Sequence, residues 1–292
     1  MPNYSPLRYP GGKTKLSPFV KYIIEEKIEE NITTYIEPFA GGAGIALDLL
    51  LNNVVDNIII NDYDKAIYSF WKAAIFETKR FIAEIERVDV TIEEWQRQKE
   101  IYLNNRKKYS FELGFATFFL NRTNRSGIIT AGPIGGLNQN GNYLINARFN
   151  KDELVNKIRS ISQRRTSIKL YNKDIRKFIQ QVVIPNQNNA VIYFDPPYFV
   201  KGKELYKNYF VAKDHSEIFE KITQNVICPW IITYDDVPYI ANLYKNYTCK
   251  RYDLIYSLAN KGKSSELIIF SEERLCPSKD ELMNSNLKID IR

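Results

Sequence analysis

Asn189-Ala190-Val191-Ile192-Tyr193-Phe194-Asp195-Pro196-Pro197-Tyr198 is the stretch around which this chain is organised. Residues 190 to 194 make a short, apolar, β-rich run, which reads as a buried strand. The run stops at Asp195-Pro196-Pro197-Tyr198. Proline donates no backbone hydrogen bond and has a fixed φ, so the chain must leave the sheet there in a rigid turn. An acid at the carboxyl end of a buried strand stands where open α/β sheets bind ligands. The Asp195 carboxylate and the Pro196 carbonyl can accept both hydrogens of an exocyclic amine. Pro197 helps to hold the backbone still, and Tyr198 offers a ring face to a flat heterocycle. The bland alternative is a strand-ending turn with an exposed acid, and the rest of the chain decides between the two.

Upstream, Tyr35-Ile36-Glu37-Pro38-Phe39-Ala40-Gly41-Gly42-Ala43-Gly44 precedes an apolar helix at 45–51, giving strand, glycine-rich turn, helix. Gly41 and Gly42 allow close backbone approach to a ligand, and the helix start presents free N–H groups. The next strand, Ile58-Ile59-Ile60, ends at Asn61-Asp62-Tyr63-Asp64. Asp62 occupies the tip position that bonds ribose hydroxyls in Rossmann-like folds, and Asp64 suits an N-cap. Arg8-Tyr9-Pro10-Gly11-Gly12-Lys13-Thr14-Lys15 is not a phosphate loop, because Leu7 stands where the first glycine belongs and no strand precedes it. A helix near 16–30 follows it.

From 66 to 120 the pattern is helical, with a capping-box start at Thr91-Ile92-Glu93-Glu94 and core positions at Phe111, Phe115, Phe118 and Phe119. Then Asn121-Arg122-Thr123-Asn124-Arg125-Ser126-Gly127 opens a Gly/Asn-rich stretch in which a hairpin and loops are expected. Its Arg, Asn and Gln side chains are those that bond base edges bidentately. A helix at 152–163 and a strand at 168–171 come next. The polar stretch 199–209, with Lys201, Gly202, Lys203 and Lys207, reads as a mobile loop over the site. Asp214-His215-Ser216 starts a helix to about 224. Strands are expected at 229–234 and 266–270, with Asp235 beside the site and a loosely ordered tail after 276.

The chain has 292 residues, 44% hydrophobic and 26% charged, ordinary for a globular protein and enough for a full core. No apolar run approaches the ~20 residues of a membrane span. Met1-Pro2-Asn3-Tyr4-Ser5 has no signal-peptide core, and three scattered cysteines form neither a disulfide framework nor a metal site. A cytoplasmic protein without metal is expected. The net charge of +7 is concentrated: residues 101–165 hold 11 Lys+Arg against 3 Asp+Glu. Such a segment on a neutral body suits a polyanion partner.

Tyr-Pro-Gly-Gly-Lys, Glu-Pro-Phe-x-Gly-Gly, Asn-Asp-x-Asp, Asn-Arg-Thr and Asp-Pro-Pro-Tyr, in that order over residues 8–270, together resemble the Dam-type (D12 class, alpha-group) DNA adenine-N6 methyltransferases. The resemblance implies an α/β, Rossmann-like S-adenosylmethionine-dependent fold at 1–75 and 166–292, with a mainly helical, basic recognition insert carrying a hairpin at 76–165. It implies cofactor contacts from Tyr9, Lys13, Glu37, Pro38, Phe39, Gly41, Gly42, Asp62, Asp174 and Asp195. Ile175 stands where the family has an aromatic residue against the cofactor's adenine. Asp195, Pro196, Pro197 and Tyr198 are the implied catalytic turn, and Arg122, Asn124, Arg125, Asn138 and Arg148 the implied DNA contacts. The expected partners are double-stranded DNA and, in a restriction–modification setting, a cognate endonuclease; a monomer is expected. Cytosine-N4 and RNA adenine methylation are the rival reactions, and a silent DNA-binding subunit is the rival outside enzymology.

Overall fold

The computed structural model describes residues 3–9, 11–200, 210–254 and 266–292. Among these, β1 (Thr34–Glu37), β2 (Asn57–Asn61), β3 (Ile168–Tyr171), β4 (Ala190–Phe194), β5 (Trp230–Asp235), β6 (Thr248–Leu254), β7 (Glu266–Phe270) and β8 (Ile289–Ile291) make one sheet, ordered β3-β2-β1-β4-β5-β7-β6-β8. The first five in that order are parallel. β7, β6 and β8 pair antiparallel. This is the mixed α/β, Rossmann-like arrangement. The chain moves one way from β1 to β2 and the other way from β1 to β4, so a crevice opens beyond the carboxyl ends of those two strands.

β4 is buried at every residue and pairs with β1 on one side and β5 on the other. That explains its unbroken apolar run, since a central parallel strand is covered on both faces. Helices flank the sheet: α1 (Ser17–Tyr22), α2 (Gly44–Leu51), α3 (Lys65–Phe76), α4 (Thr78–Arg87), α5 (Ile92–Asn104), α6 (Phe111–Thr123), α7 (Lys151–Gln163), α8 (Ile175–Phe178), α9 (Ala212–Asn225), α10 (Pro238–Leu243) and α11 (Lys279–Asn284). Asp64 caps α3 by accepting from Ala66 N at 2.8 Å. Thr91 caps α5, but Glu94 turns to Arg97 and Gln98 rather than back to the cap, so only half of the expected box forms. Phe111, Phe115, Phe118 and Phe119 are buried, and Phe118 stacks on Phe70 of α3 at 5.9 Å between centroids. Helices α3 to α7 therefore share one apolar cluster with the sheet's flank.

Two expectations are corrected. The hairpin at 127–143 is absent as a pair of strands; turns there are closed by a single antiparallel bridge, Asn124 to Pro133. The tail is ordered: α11 and β8 pack through Leu282, Ile289 and Ile291, and Lys27 binds Glu281 at 2.9 Å. β6 also escapes a sequence reading, because its Thr-Cys-Lys-Arg-Tyr-Asp-Leu run is mostly polar and holds by antiparallel backbone pairing. The expected mobile loop lies almost wholly outside the described residues. No helix among the described residues is long and apolar enough to cross a membrane.

Candidate active site

A cleft of about 1020 Å³ opens beyond the tips of β1, β2, β3 and β4. Tyr9, Lys13, Glu37, Pro38, Phe39, Gly41, Gly42, Asp62, Asp174, Ile175, Asp195 and Pro197 all line it. The glycine turn is shaped by a neighbour: a Cβ on Gly41 (φ +46°) would stand 2.6 Å from the Tyr9 ring. Trp71 Nε1 donates to Gly41 O at 2.8 Å and Ser5 Oγ to Gly42 O at 2.5 Å, so the turn is pinned from two sides. Glu37, buried at the end of β1, accepts from Ala46 N of α2 at 3.2 Å. Burial drives the Glu37 carboxyl well above its usual range, helped by the charges of Asp195 and Asp62.

Asp62 accepts from Gly41 N and from Asp64 N, each at 2.9 Å. Burial and the adjacent Asp64 push its carboxyl up to about 7 despite those bonds. Beside it, buried Asn61 bonds Pro38 O, Lys173 O and Lys173 N at 2.9–3.1 Å, tying the tips of β1, β2 and β3 together. Asp174 caps α8 through Arg176 N at 3.0 Å, and the Arg176 guanidinium bridges it to Asp214 and Glu217 of α9. Ile175 is buried behind it and presents apolar surface to the cleft.

At the other end, Thr233 Oγ1 donates to Asp195 Oδ1 at 2.8 Å, and the Tyr193 hydroxyl lies 2.8 Å from the same Thr233 oxygen. Burial raises the Asp195 carboxyl, while Lys13 and Thr233 pull it back only in part. Lys13 Nζ stands 3.8 Å from Asp195 Oδ1 and bonds the Tyr198 hydroxyl, which donates to Glu266 at 2.8 Å. Asp235 accepts from Phe199 N and Val200 N at 2.8 Å each, so it fixes the chain leaving the turn. His215 is buried in α9 between Phe199, Phe210 and Tyr234, and burial lowers it to about 4. It is a neutral packing residue beneath the turn.

The model of the D12 class N6 adenine-specific DNA methyltransferases matches residues 9–258. The chain belongs to this family. It is thus a DNA adenine methyltransferase. Among curated proteins, the type II methyltransferase M.MjaIII of Methanocaldococcus jannaschii is 27% identical over 205 residues, covering 66% of this chain and 68% of that protein. The type II methyltransferase M1.LlaDCHI of Lactococcus lactis subsp. cremoris is 25% identical over 205 residues, covering 65% and 64%. Among solved structures, the rRNA methyltransferase aviRa from Streptomyces viridochromogenes aligns with a TM-score of 0.40 and 9% identity over 90% of this chain and 85% of that one. So loose a superposition carries no argument about substrate.

In this D12-class enzyme the expected DNA contacts divide in two. Arg125, Asn138 and Arg148 are exposed on the loops after α6. Asn124 has no exposed surface: it accepts from Trp95 Nε1 at 2.6 Å and donates to Ile128 O and Ile129 O. In this arrangement its whole side chain is engaged within the protein, unlike the exposed contact expected of it. Arg122 is 8% exposed and bonds Arg148 O at 2.7 Å; burial and neighbouring Arg8 lower its guanidinium to about 10. Thr233 and Glu266 are the site residues that motif reading missed, and Asn61 stood inside a quoted motif without a role. Thr233 left one trace, a polar residue inside the apolar run Trp230–Tyr234.

Proposed function

We propose that the enzyme transfers a methyl group from S-adenosylmethionine to N6 of an adenine flipped out of duplex DNA, directly and at a specific site. One observation carries this: Asp195, oriented by Thr233, shares a single cleft with the Gly41-Gly42 turn and with Asp62. The residues fit the cofactor. Asp62 suits a ribose diol, Asp174 and Ile175 the adenine side, and Glu37, Pro38, Phe39, Tyr9 and Lys13 the amino-acid end. S-adenosylmethionine supplies an electrophilic methyl group on a sulfonium.

The adenine N6 lone pair is delocalised into the ring, so the amine is a weak nucleophile. Asp195 and the Pro196 carbonyl accept its two hydrogens, favour a pyramidal nitrogen and stabilise the positive charge that builds on it. The Tyr198 ring is the surface for the extrahelical base, whose amine is inaccessible inside the duplex. A covalent route through cysteine is disfavoured, since burial pushes the Cys228 thiol up to about 12. The exposed Arg125, Asn138 and Arg148 contact DNA, with Arg122 and Asn124 shaping the loops beneath them. The enzyme acts as a monomer, in the reducing cytoplasm, and a cognate endonuclease fits the type II names of its relatives.

Asp195→Ala tests the reading on unmethylated duplex DNA, with base-resolved detection of N6-methyladenine. Transfer should fall by about 10²–10³-fold or more while cofactor affinity stays close to wild type. Substantial turnover by that variant sinks the mechanism.

A further inference from the structure

Glu266 opens β7, and no motif points to it. Its Oε2 nevertheless gathers three groups: Lys13 Nζ at 3.2 Å, the Tyr198 hydroxyl at 2.8 Å and the Tyr252 hydroxyl at 2.5 Å. Lys13 stands 4.7 Å from the Tyr198 ring centroid and 3.8 Å from Asp195 Oδ1. The three charged side chains are only 10% (Lys13), 20% (Asp195) and 24% (Glu266) exposed, so solvent screens them weakly.

That placement raises an electrostatic problem. As a methyl group reaches N6, the nitrogen becomes cationic, and an ammonium beside Asp195 opposes that charge. At such separations in a poorly screened site, one unit charge changes a rate by orders of magnitude. With Glu266 in place, Lys13, Asp195 and Glu266 sum to −1 around the amine; without it they sum to zero.

We propose that Glu266 is the counter-charge that allows Lys13 to stand beside the reacting amine, cancelling its field there while holding Tyr198 by its hydroxyl. The proposal rests on the N6-methylation reading above. Glu266 itself contacts neither base nor cofactor and is a positioning residue. It is ionised in this network: burial alone would raise its carboxyl, but Lys13 and the two tyrosine hydroxyls bring it below its ordinary value. A merely structural Glu266 would pin Tyr252 and Tyr198 by hydrogen bonds alone, and a neutral amide would do nearly as well.

The test is a charge cycle on the full-length enzyme, measuring single-turnover methyl transfer to duplex DNA at saturating S-adenosylmethionine, with cofactor Kd measured separately. Glu266→Gln should slow transfer by about 10- to 100-fold and change cofactor Kd by less than about threefold. In a Lys13→Met background the same substitution should cost less than about threefold, because the charge it balances is gone. Glu266→Asp, which keeps the charge, should retain transfer within about fivefold, and this holds the idea to account should the amide variant not fold. Equal costs of Glu266→Gln in both backgrounds, or an aspartate variant as slow as the glutamine one, overturn the proposal. A wild-type enzyme that leaves adenine unmodified overturns the N6 reading and this proposal together. An active wild type with an unimpaired Glu266→Gln variant overturns this proposal alone.

Discussion

Replacing Thr233 by valine removes one oxygen from a fully buried position and keeps the side chain's shape. The lost bond is the 2.8 Å donation to Asp195 Oδ1. A hydrogen bond to a charged group contributes about 1.5–3 kcal/mol. Losing it removes one of the interactions that favour the carboxylate, so the Asp195 pKa should climb further above its ordinary value. Burial already raises it, and Thr233 is one of the groups restraining it. The sign then follows. Transfer needs the carboxylate, so a higher pKa moves the acid limb of the rate profile toward higher pH. The defect is largest in acid and shrinks as pH rises. The assay is kcat/KM for methyl transfer to a duplex oligonucleotide across the enzyme's working pH range, with cofactor Kd as control. The variant also orphans the Tyr193 hydroxyl, which costs stability of about 1–3 kcal/mol, visible as a lower Tm. A profile lowered uniformly, with its acid limb unmoved, would refute the assignment of Thr233 as one of the groups that favour the Asp195 carboxylate.

Gly114→Ala should destabilise the fold by about 1–3 kcal/mol in urea unfolding, since its Cβ would stand 2.4 Å from the Ser69 carbonyl where α6 crosses α3. Asp62, raised to about 7, favours its protonated form in the folded state. Its contribution is therefore complete below about pH 4 and lost as pH rises through about 7; cofactor-free Asp62→Asn protein should show a flatter Tm–pH curve there, and parallel curves would count against the shift. Arg125→Ala should weaken DNA binding and reduce the salt slope of log Kd by about one if Arg125 meets a phosphate. Asn124→Ala should instead lower Tm and weaken binding with the slope intact, because it breaks the bond from Trp95 of α5 to the start of the loop; an unchanged Tm would contradict that role.

The sheet's parallel core was legible because its strands carry their own punctuation. Ala190–Phe194 ends in two prolines, Ile58–Ile60 in Asn-Asp, and Tyr35–Glu37 in Pro-Phe and glycines. Each tip joins a strong apolar signal to a residue type with a specific backbone or hydrogen-bonding property. The residues behind those tips were not legible. Thr233 and Glu266 are ordinary strand residues whose importance depends on which way the pleat turns them, and that is set by pairing with distant strands. Asn124 departs from its expected exposure for a related reason: a polar amide in a basic, polar stretch reads as exposed, whereas here it is buried and donates to two carbonyls of an irregular loop. β6 and β8 hide because antiparallel strands near a sheet edge need little apolar sequence of their own.

The apolar cluster that runs without a break from the sheet's flank into helices α3 to α7 has a consequence for how such enzymes change their target sequence. Phe70, Phe81, Phe118 and Phe149 belong to one packed unit, with ring centroids 5.3–5.9 Å apart along the chain of contacts. The helices that carry the exposed loops after α6 are therefore not an exchangeable cartridge. Swapping them wholesale between relatives would open cavities along the seam. The turns from Arg125 to Arg148 hang from that unit by few buried apolar side chains, Ile145 among them. Under the DNA-contacting role proposed for those turns, a graft confined to them is the economical route to a new recognition sequence.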